Sequence, residues 1–334
     1  MIGVGHVARN AHLPGWAARP DVSLVAAADA RPEGRPAFEA AFPGARWFDS
    51  PEELLAEGAP DFVDICTPPA LHAPVASAAL RAGCHVLCEK PLGISPDELA
   101  PLADLARRGE RALVTVHNWA HAAALERITR LVCEGKLGKL RRVSWETLRT
   151  QPAAAAGAGN WRGDPALSGG GILVDHGWHA FYVLARWLPG WPTALSARLE
   201  TRRHTALPLE DTAEVRLDWG GADARIFLTW AADRRGNRVE IEGEKGRLVL
   251  DGGRVELFED SRPAAVAWDF PSIAEGSHHP EWFAGVIEDF LVEVRDSGAR
   301  GRNLEEALLC ASLLFRARES SLRGGERRTV EAAR

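Results

Sequence analysis

Short apolar runs alternate with longer amphipathic stretches through the first part of the chain. Residues 22–28, 62–66, 85–88 and 112–116 are Val-, Ile- and Ala-rich runs, the pattern of strands buried on both faces of a parallel sheet. Between them, 8–18, 51–57, 71–82 and 95–108 carry helical spacing. Two of these open on Ser50-Pro51-Glu52-Glu53 and Ser95-Pro96-Asp97-Glu98, where proline suits a first helical turn. The βαβαβ order predicts a parallel sheet covered by helices.

From about residue 140 the period changes. Segments 140–150, 194–203, 212–219, 224–230, 238–242 and 247–250 alternate apolar and polar positions, the signal of antiparallel strands. Breaks at Gly220-Gly221, Gly243-Glu244-Lys245-Gly246 and Asp251-Gly252-Gly253 separate several of them, so we expect a meandering open sheet with one helix-covered face. The other face is free to pair subunits. Helical patterns at 282–296 and 304–322 close the chain, and the Ala/Gly stretch 153–159 is the one low-complexity segment. At 334 residues the chain is long enough for two cores of roughly 150 residues each. The expected fold class is α/β plus α+β: a doubly wound parallel domain over 1–118, then a domain over 119–334 with a large, mostly antiparallel open sheet.

Composition changes this picture little. The hydrophobic fraction of 46% and charged fraction of 26% are those of globular chains. A net charge of -6 with no Lys/Arg run argues against nucleic acid as a partner. No run approaches the roughly 20 apolar residues of a membrane span, and no basic-then-apolar leader opens the sequence, so no membrane partner and a cytoplasmic location are the expectations. Cys66, Cys84, Cys88, Cys133 and Cys310 form no C-x-x-C pair or ligand block, so they read as reduced thiols and no metal is expected. Cys88 reads as a buried small hydrophobe.

Gly3-Val4-Gly5-His6-Val7-Ala8 is a G-x-G-x-x-A turn, in which one glycine tightens the turn, the next lets backbone approach a pyrophosphate, and the small residue admits close helix packing. Amides at the following helix N-terminus then face phosphates. Such turns also simply join strands to helices, but Asp29 ends the next strand at about the spacing where an acid meets the ribose hydroxyls. A carboxylate there favours NAD over NADP, although nearby Arg31 softens the discrimination, and a solvated strand end is the plain alternative. Only Met1 and Ile2 precede Gly3, where a first strand usually has about five residues. Either the strand is short or it starts upstream of the recorded sequence.

Three more segments carry chemistry: Cys66-Thr67-Pro68-Pro69-Ala70-Leu71-His72, Cys88-Glu89-Lys90-Pro91-Leu92, and the stretch from Gly169-Gly170-Gly171 to Asp175-His176-Gly177-Trp178-His179. Asp175 and His179 stand four residues apart on an expected helix and so share a face. Removing an alcohol proton as hydride leaves needs a base of near-neutral pKa, which makes His179 the candidate general base and acid. Asp175 would orient the substrate or the imidazole. Lys90 ends a parallel strand at the ligand-binding rim, where an ammonium can polarise a reacting oxygen; a surface lysine is the alternative. For Asp175 and His179 the alternatives are a solvated acid with a core histidine, or a metal site with His176. The roughly 100° offset of His176 and the lack of further ligands disfavour the metal.

Together with the glycine turn, these segments resemble the glucose-fructose oxidoreductase/inositol dehydrogenase (Gfo/Idh/MocA) family. Glu210-Asp211-Thr212-Ala213, Val239 to Gly243 and Asp289-Phe290-Leu291 extend the likeness nearly end to end. The resemblance implies an oxidoreductase that moves a hydride between NAD (less readily NADP) and a hydroxyl or ketone carbon of a sugar, polyol, cyclitol or sugar derivative. It implies cofactor contacts at Gly3, Gly5, His6, Val7, Ala8, Asp29, Arg31, Cys66, Thr67, Pro68, Pro69, His72, Glu89, Lys90 and Pro91, with weaker carry-over at Asn118, Trp161 and Arg162, which equally suit turn or core packing. Lys90 would touch the nicotinamide ribose, and the Lys90–Pro91 bond can be cis. A homodimer or homotetramer through the open sheet is expected. Two rivals stand: an NAD-dependent glycoside-processing enzyme without net redox change, and a non-catalytic NAD/sugar-sensing regulator. Ala120 departs from the family, where an Arg often stands, so substrate identity does not carry over. Of twelve tryptophans, Trp145, Trp161, Trp178, Trp187 and Trp230 fall near the expected cleft; one or two suit ligand contact and the rest packing.

Overall fold

The structure, a computed structural model, describes residues 1–57, 60–152, 160–262, 264–276 and 279–331. The Ala/Gly stretch 153–159 lies outside them. The chain divides into two compact units, Met1–Asn118 with Ser277–Leu308, and Trp119–Gly276 with Leu309–Arg334.

In the first unit, β1 (Ala26–Ala28) pairs in parallel with β2 (Arg46–Phe48), and β3 (Phe62–Ile65), β4 (His85–Cys88) and β5 (Leu113–Thr115) pair in parallel with one another. Ile2 bridges the two groups, touching Ala28 on one side and Ile65 on the other. Its amide donates to Asp64 O at 2.8 Å, its carbonyl accepts from Cys66 N at 2.7 Å, and Gly3 N donates to Ala28 O at 2.8 Å. These bonds join the two groups across Ile2 into one doubly wound parallel sheet. The run expected as a strand over 22–28 shortens to β1 for a related reason: its outer neighbour β2 is only three residues long, and Val25 is 58% exposed.

The β5 edge is closed by a side chain. Asn303 Oδ1 accepts Thr115 N–H at 2.7 Å and its Nδ2 donates to Thr115 O at 3.0 Å, copying a strand's hydrogen-bond pair. The core of this unit gathers Trp16, Phe38, Phe283, Ile287 and Phe290, with Trp16 meeting Phe283 and Phe290 edge-on at 6.4 and 6.3 Å. Helix Pro280–Arg295 thus belongs to this core, whereas the sequence reading had placed it in a second domain running unbroken over 119–334. At about 1.5–3 kcal/mol per large apolar side chain, its buried Phe283, Ile287 and Phe290 explain the return.

The stretch expected as one helix over 8–18 starts with a π turn, Ala8–His12, and continues as Leu13–Ala17. Pro14, with no amide to donate, falls at the change of pitch. The wider turn carries His12 inward, where it is wholly buried.

In the second unit, β6 (Leu140–Leu148), β7 (Ala194–Glu200), β8 (Thr212–Asp218), β9 (Asp223–Thr229), β10 (Gly236–Gly243), β11 (Gly246–Asp251), β12 (Arg254–Glu259), β13 (Val266–Asp269) and β14 (Arg328–Thr329) form one sheet in the order β13-β12-β11-β10-β6-β9-β8-β7-β14. Only β6–β9 is parallel. The last three strands were not anticipated; β13 has four residues and β14 two. Alternation along the strands buries Val143, Trp145, Val215, Ile226, Val239, Ile241 and Leu257 on one face. The other face carries ion pairs, with Glu214 between Arg216 and Arg225 at 3.0 and 3.2 Å and Arg238 paired to Glu240 and Asp251. No helix among the described residues is long and apolar enough to cross a membrane.

Candidate active site

The glycine turn is built for close backbone approach. Gly3 has φ +85°, and a Cβ there would lie 2.8 to 2.9 Å from Cys66 C and O and Thr67 N. At Gly5 a Cβ would meet no protein atom within 4 Å, so the glycine leaves its backbone accessible from outside the fold. Ala8, at the small third position, is fully buried. His6 is exposed and bonded to Asn10, and Val7 is half-buried. Asp29 is no loose strand end: its carboxylate accepts Val4 N–H at 2.8 Å and Arg31 N–H at 2.9 Å, which leaves lone pairs for a further donor. The Arg31 side chain is 66% exposed, with its Nε 3.9 Å from Asp29.

After β3, Cys66 is buried with its Sγ 3.2 Å from His12 Nδ1. Burial first, then the Asp64 charge, push its thiol up to about 12, so it is inert rather than nucleophilic. Pro68 and Pro69 lead into the turn Pro69–Leu71. Thr67 Oγ1 and Asn118 Oδ1 are buried with no hydrogen-bond partner among the described residues, as expected of atoms that meet a ligand. His72 is almost fully buried, and its nitrogens lie 2.6 Å from Pro91 O and 2.8 Å from Thr67 O. Burial outweighs those two carbonyls and holds its pKa below the ordinary value. It ties together the loops after β3 and β4. Glu89 follows β4 and Lys90 joins Pro91 through a cis peptide bond. Cys88 is buried, and burial raises its thiol well above the ordinary range.

Beneath Glu89 lies a feature absent from the sequence reading. His12 Nδ1 is 3.0 and 2.9 Å from the two Asp64 oxygens, and its Nε2 is 3.1 Å from Glu89 Oε1. Burial acts to lower the His12 pKa, but the charge and hydrogen bond of Asp64 outweigh it and hold the ring well above its ordinary value. Burial likewise acts to raise Glu89, and the hydrogen bond and charge of His12, helped by Lys90 and His72, bring it below the carboxylate range. His12, Asp64 and Cys66 offer donor atoms within 4.8 Å of one another, but Nδ1 sits at hydrogen-bond distance from the carboxylate.

In the second unit, Asn160 caps the short turn Trp161–Gly163 and Asp164 caps the short helix Pro165–Ser168 that follows, and the Arg162 guanidinium lies 4.4 Å above the Trp161 ring. The glycine run then meets Glu210, whose Oε1 accepts Gly171 N–H at 2.9 Å and Leu173 N–H at 3.3 Å, while a Cβ at Gly171 would lie 2.0 Å from Glu210 O. Glu210 thereby caps a π turn, Leu173–Gly177, which passes into helix Trp178–Trp187. The single α-helix expected for Asp175 and His179 is therefore widened where Asp175 sits. The Asp175 carboxylate lies 3.1 Å from His176 Nδ1, with its side chain 31% exposed.

His179 is held on two sides. Its Nδ1 is 2.9 Å from the Tyr182 hydroxyl, which accepts Trp119 N–H at 2.9 Å, and its ring stacks on Trp119 at 4.7 Å with an 8° interplanar angle. Trp119 in turn stacks on Trp145 at 6.1 Å. Sequence reasoning has Asp175 orient the substrate or the imidazole and passes over Tyr182 and Trp119. The available signal was that Tyr182 is the only tyrosine of the chain, three residues after His179. Of the tryptophans expected near the cleft, Trp145, Trp178, Trp187 and Trp230 are buried packing residues and Trp161 is partly exposed. Lys90 lies in the first unit and Asp175 and His179 in the second.

Residues 1–118 match the profile described as "Oxidoreductase family, NAD-binding Rossmann fold", and residues 125–249 match the Gfo/Idh/MocA C-terminal domain. The chain is 32% identical over 190 residues to D-glucoside 3-dehydrogenase of Escherichia coli, a match covering 55% of this chain and about half (53%) of that relative. It is 31% identical to an uncharacterized oxidoreductase of Schizosaccharomyces pombe, over 77% of this chain and 76% of that one. The WlbA dehydrogenase of Bordetella pertussis, solved with NADH and UDP-GlcNAcA, superposes with a TM-score of 0.80 at 27% identity, covering 99% of this chain and 98% of that one.

Proposed function

Because this chain belongs to the Gfo/Idh/MocA oxidoreductase family, we propose that it is an NAD-dependent dehydrogenase or reductase acting on a CH–OH or ketone carbon of a sugar or sugar derivative. The observation that carries this is the setting of His179, an almost fully buried imidazole gripped by a hydroxyl and an indole in the unit that bears the glycine run. In this reading the Tyr182 oxygen accepts the Nδ1 proton, leaving Nε2 to take the substrate hydroxyl proton during oxidation and return it during reduction. The Trp119 stack keeps the ring plane fixed so that the transfer needs little reorganisation. Asp175, partly exposed, binds a substrate hydroxyl and, with His176, sets the local charge. Lys90 lends an ammonium to the reacting oxygen or the ribose.

The first unit's residues fit NAD. Gly3, Gly5 and the helix beginning at Ala8 would take the pyrophosphate, Asp29 the ribose hydroxyls, and Thr67 and Asn118 the remaining polar edges. When bound, the nicotinamide supplies or accepts the hydride. The carboxylate of Asp29, fixed by two amides, favours NAD over NADP. Assembly through the charged face of the nine-stranded sheet would be salt-sensitive.

The test is to follow reduced nicotinamide absorbance with NAD+ and a panel of glucosides, polyols and nucleotide-linked sugars, comparing wild type with His179→Ala and Lys90→Ala. Both variants should lose most turnover. Unchanged turnover in both would overturn the assignment.

A further inference from the structure

We propose that His12, which touches neither cofactor nor substrate in the reading above, is a positioning residue: a buried imidazolium that locks Glu89 as a carboxylate and so fixes the Lys90 backbone at the rim of the parallel sheet. The proposal rests on the oxidoreductase reading for its purpose, and on geometry within the first unit for its substance.

The contacts form a chain from the interior outward. Trp16 Nε1 donates to Asp64 Oδ2 at 2.6 Å, anchoring the innermost carboxylate. Asp64 meets His12 Nδ1 at 2.9 Å, His12 Nε2 meets Glu89 Oε1 at 3.1 Å, and Glu89 Oε2 accepts Lys90 N–H at 3.1 Å. The side-chain exposures of His12 and Asp64 are 0%, and that of Glu89 is 14%, so charge is led outward from a dry core. A neutral imidazole carries one N–H and can donate to only one of its two carboxylate neighbours. The charged ring donates to both, so the arrangement itself selects the imidazolium.

The groups around His12 agree with this assignment. From β3 come Asp64 and, just beyond it, Cys66; from the end of β4 comes Glu89; the Phe283 ring of helix Pro280–Arg295 covers the imidazole at 4.0 Å. The buried Met1 nitrogen, bonded to Ala26 O at 2.8 Å, lies near Asp64 and Cys66, and burial lowers its pKa. Two carboxylates and one thiol held in its neutral form leave an anionic surplus that a charged His12 offsets. A group whose role was packing alone would be met more cheaply by a hydrocarbon, because a buried charge requires every partner to be in place.

The role separates from packing in a double-mutant cycle with a spectroscopic readout. The histidine side-chain 15N spectrum of the wild-type protein should show one imidazolium, protonated on both nitrogens, persisting at about pH 8, well above the ordinary histidine range. Its signal is assigned by its loss in His12→Gln or, if that variant does not fold, by its displacement in Glu89→Gln. NAD+ affinity is then read by tryptophan fluorescence in wild type, His12→Gln, Glu89→Gln and the double variant. We expect His12→Gln to weaken NAD+ binding by about tenfold in the wild-type background but by less than about twofold in Glu89→Gln, since the charge-assisted bond to Glu89 is already gone. A neutral His12 ring at about pH 7, or equal losses in both backgrounds, overturns the proposal. Failure of the wild type to bind NAD+ would instead count against the oxidoreductase reading and leave the nitrogen spectrum to decide His12.

Discussion

Replacing Tyr182 by Phe removes one oxygen from a side chain that is wholly buried and leaves its ring in place, so no cavity forms. That oxygen serves two partners, Trp119 N–H and His179 Nδ1, each at 2.9 Å. A buried N–H left without its acceptor costs about 1–3 kcal/mol. At about 2–4 °C per kcal/mol for a unit of this size, the melting transition of the second unit should fall by about 2–12 °C. The catalytic effect is separate: the Trp119 stack still fixes the plane of the His179 ring, but rotation within that plane is released. General acid–base catalysis contributes about 10²–10⁴-fold, and losing orientation without losing the ring should forfeit about 10- to 100-fold in kcat, with KM little changed. Calorimetry reads the first quantity and initial rates of nicotinamide reduction read the second. Adding Tyr182→Phe to His179→Ala should lower the rate no further, because the two act as one unit. A Tyr182→Phe protein that melts and turns over as wild type refutes the reasoning.

Three other outcomes follow from geometry already described. Gly171→Ala would set a Cβ 2.0 Å from Glu210 O, a backbone atom, so the variant should lose about 2–4 kcal/mol, read as a lowered urea midpoint; an unchanged midpoint would mean that the glycine run yields freely. Asp29→Asn removes the charge facing the ribose, so NAD+ should bind about tenfold more weakly while NADP+ gains relative to it, measured by calorimetric titration; an unaltered ratio counts against Asp29 as the discriminator. The raised pKa of His12 contributes stability that is complete below the unfolded value of about 6.5 and is lost as pH climbs through the folded value. Unfolding free energy should therefore slope downward with pH above about 6.5 by up to about 1.4 kcal/mol per unit, and the slope should flatten in His12→Gln.

The alternation of strand and helix, the glycine turn and the acid at the end of the second strand were legible because each is a local signal: apolar period, φ-permissive residues, or spacing along one βαβ unit. What escaped was non-local or broke the helical period. Both π turns, Ala8–His12 and Leu173–Gly177, hold candidate site residues, and a pattern of 3.6 residues cannot register a widened turn. The partners of His12 lie 52 and 77 residues away, so the residue reads as one polar position in an amphipathic stretch. Tyr182 was hidden by its surroundings, since an aromatic in an apolar helix looks like core, and here it is core as well as contact. Four of the five tryptophans named near the expected cleft fill space in the core.

Asn303 supplies the final rung of the parallel sheet, and Phe283, Ile287 and Phe290 fill its core. During synthesis, a ribosome must therefore translate the whole intervening body before the amino-terminal half can close. Until residues 279–303 emerge, the nascent chain carries the bare flank of β5 and an uncovered Trp16, both adhesive toward other chains. A shortened product ending near residue 118 should be captured by holdases and accumulate in inclusion bodies rather than persist as a small dinucleotide-binding protein.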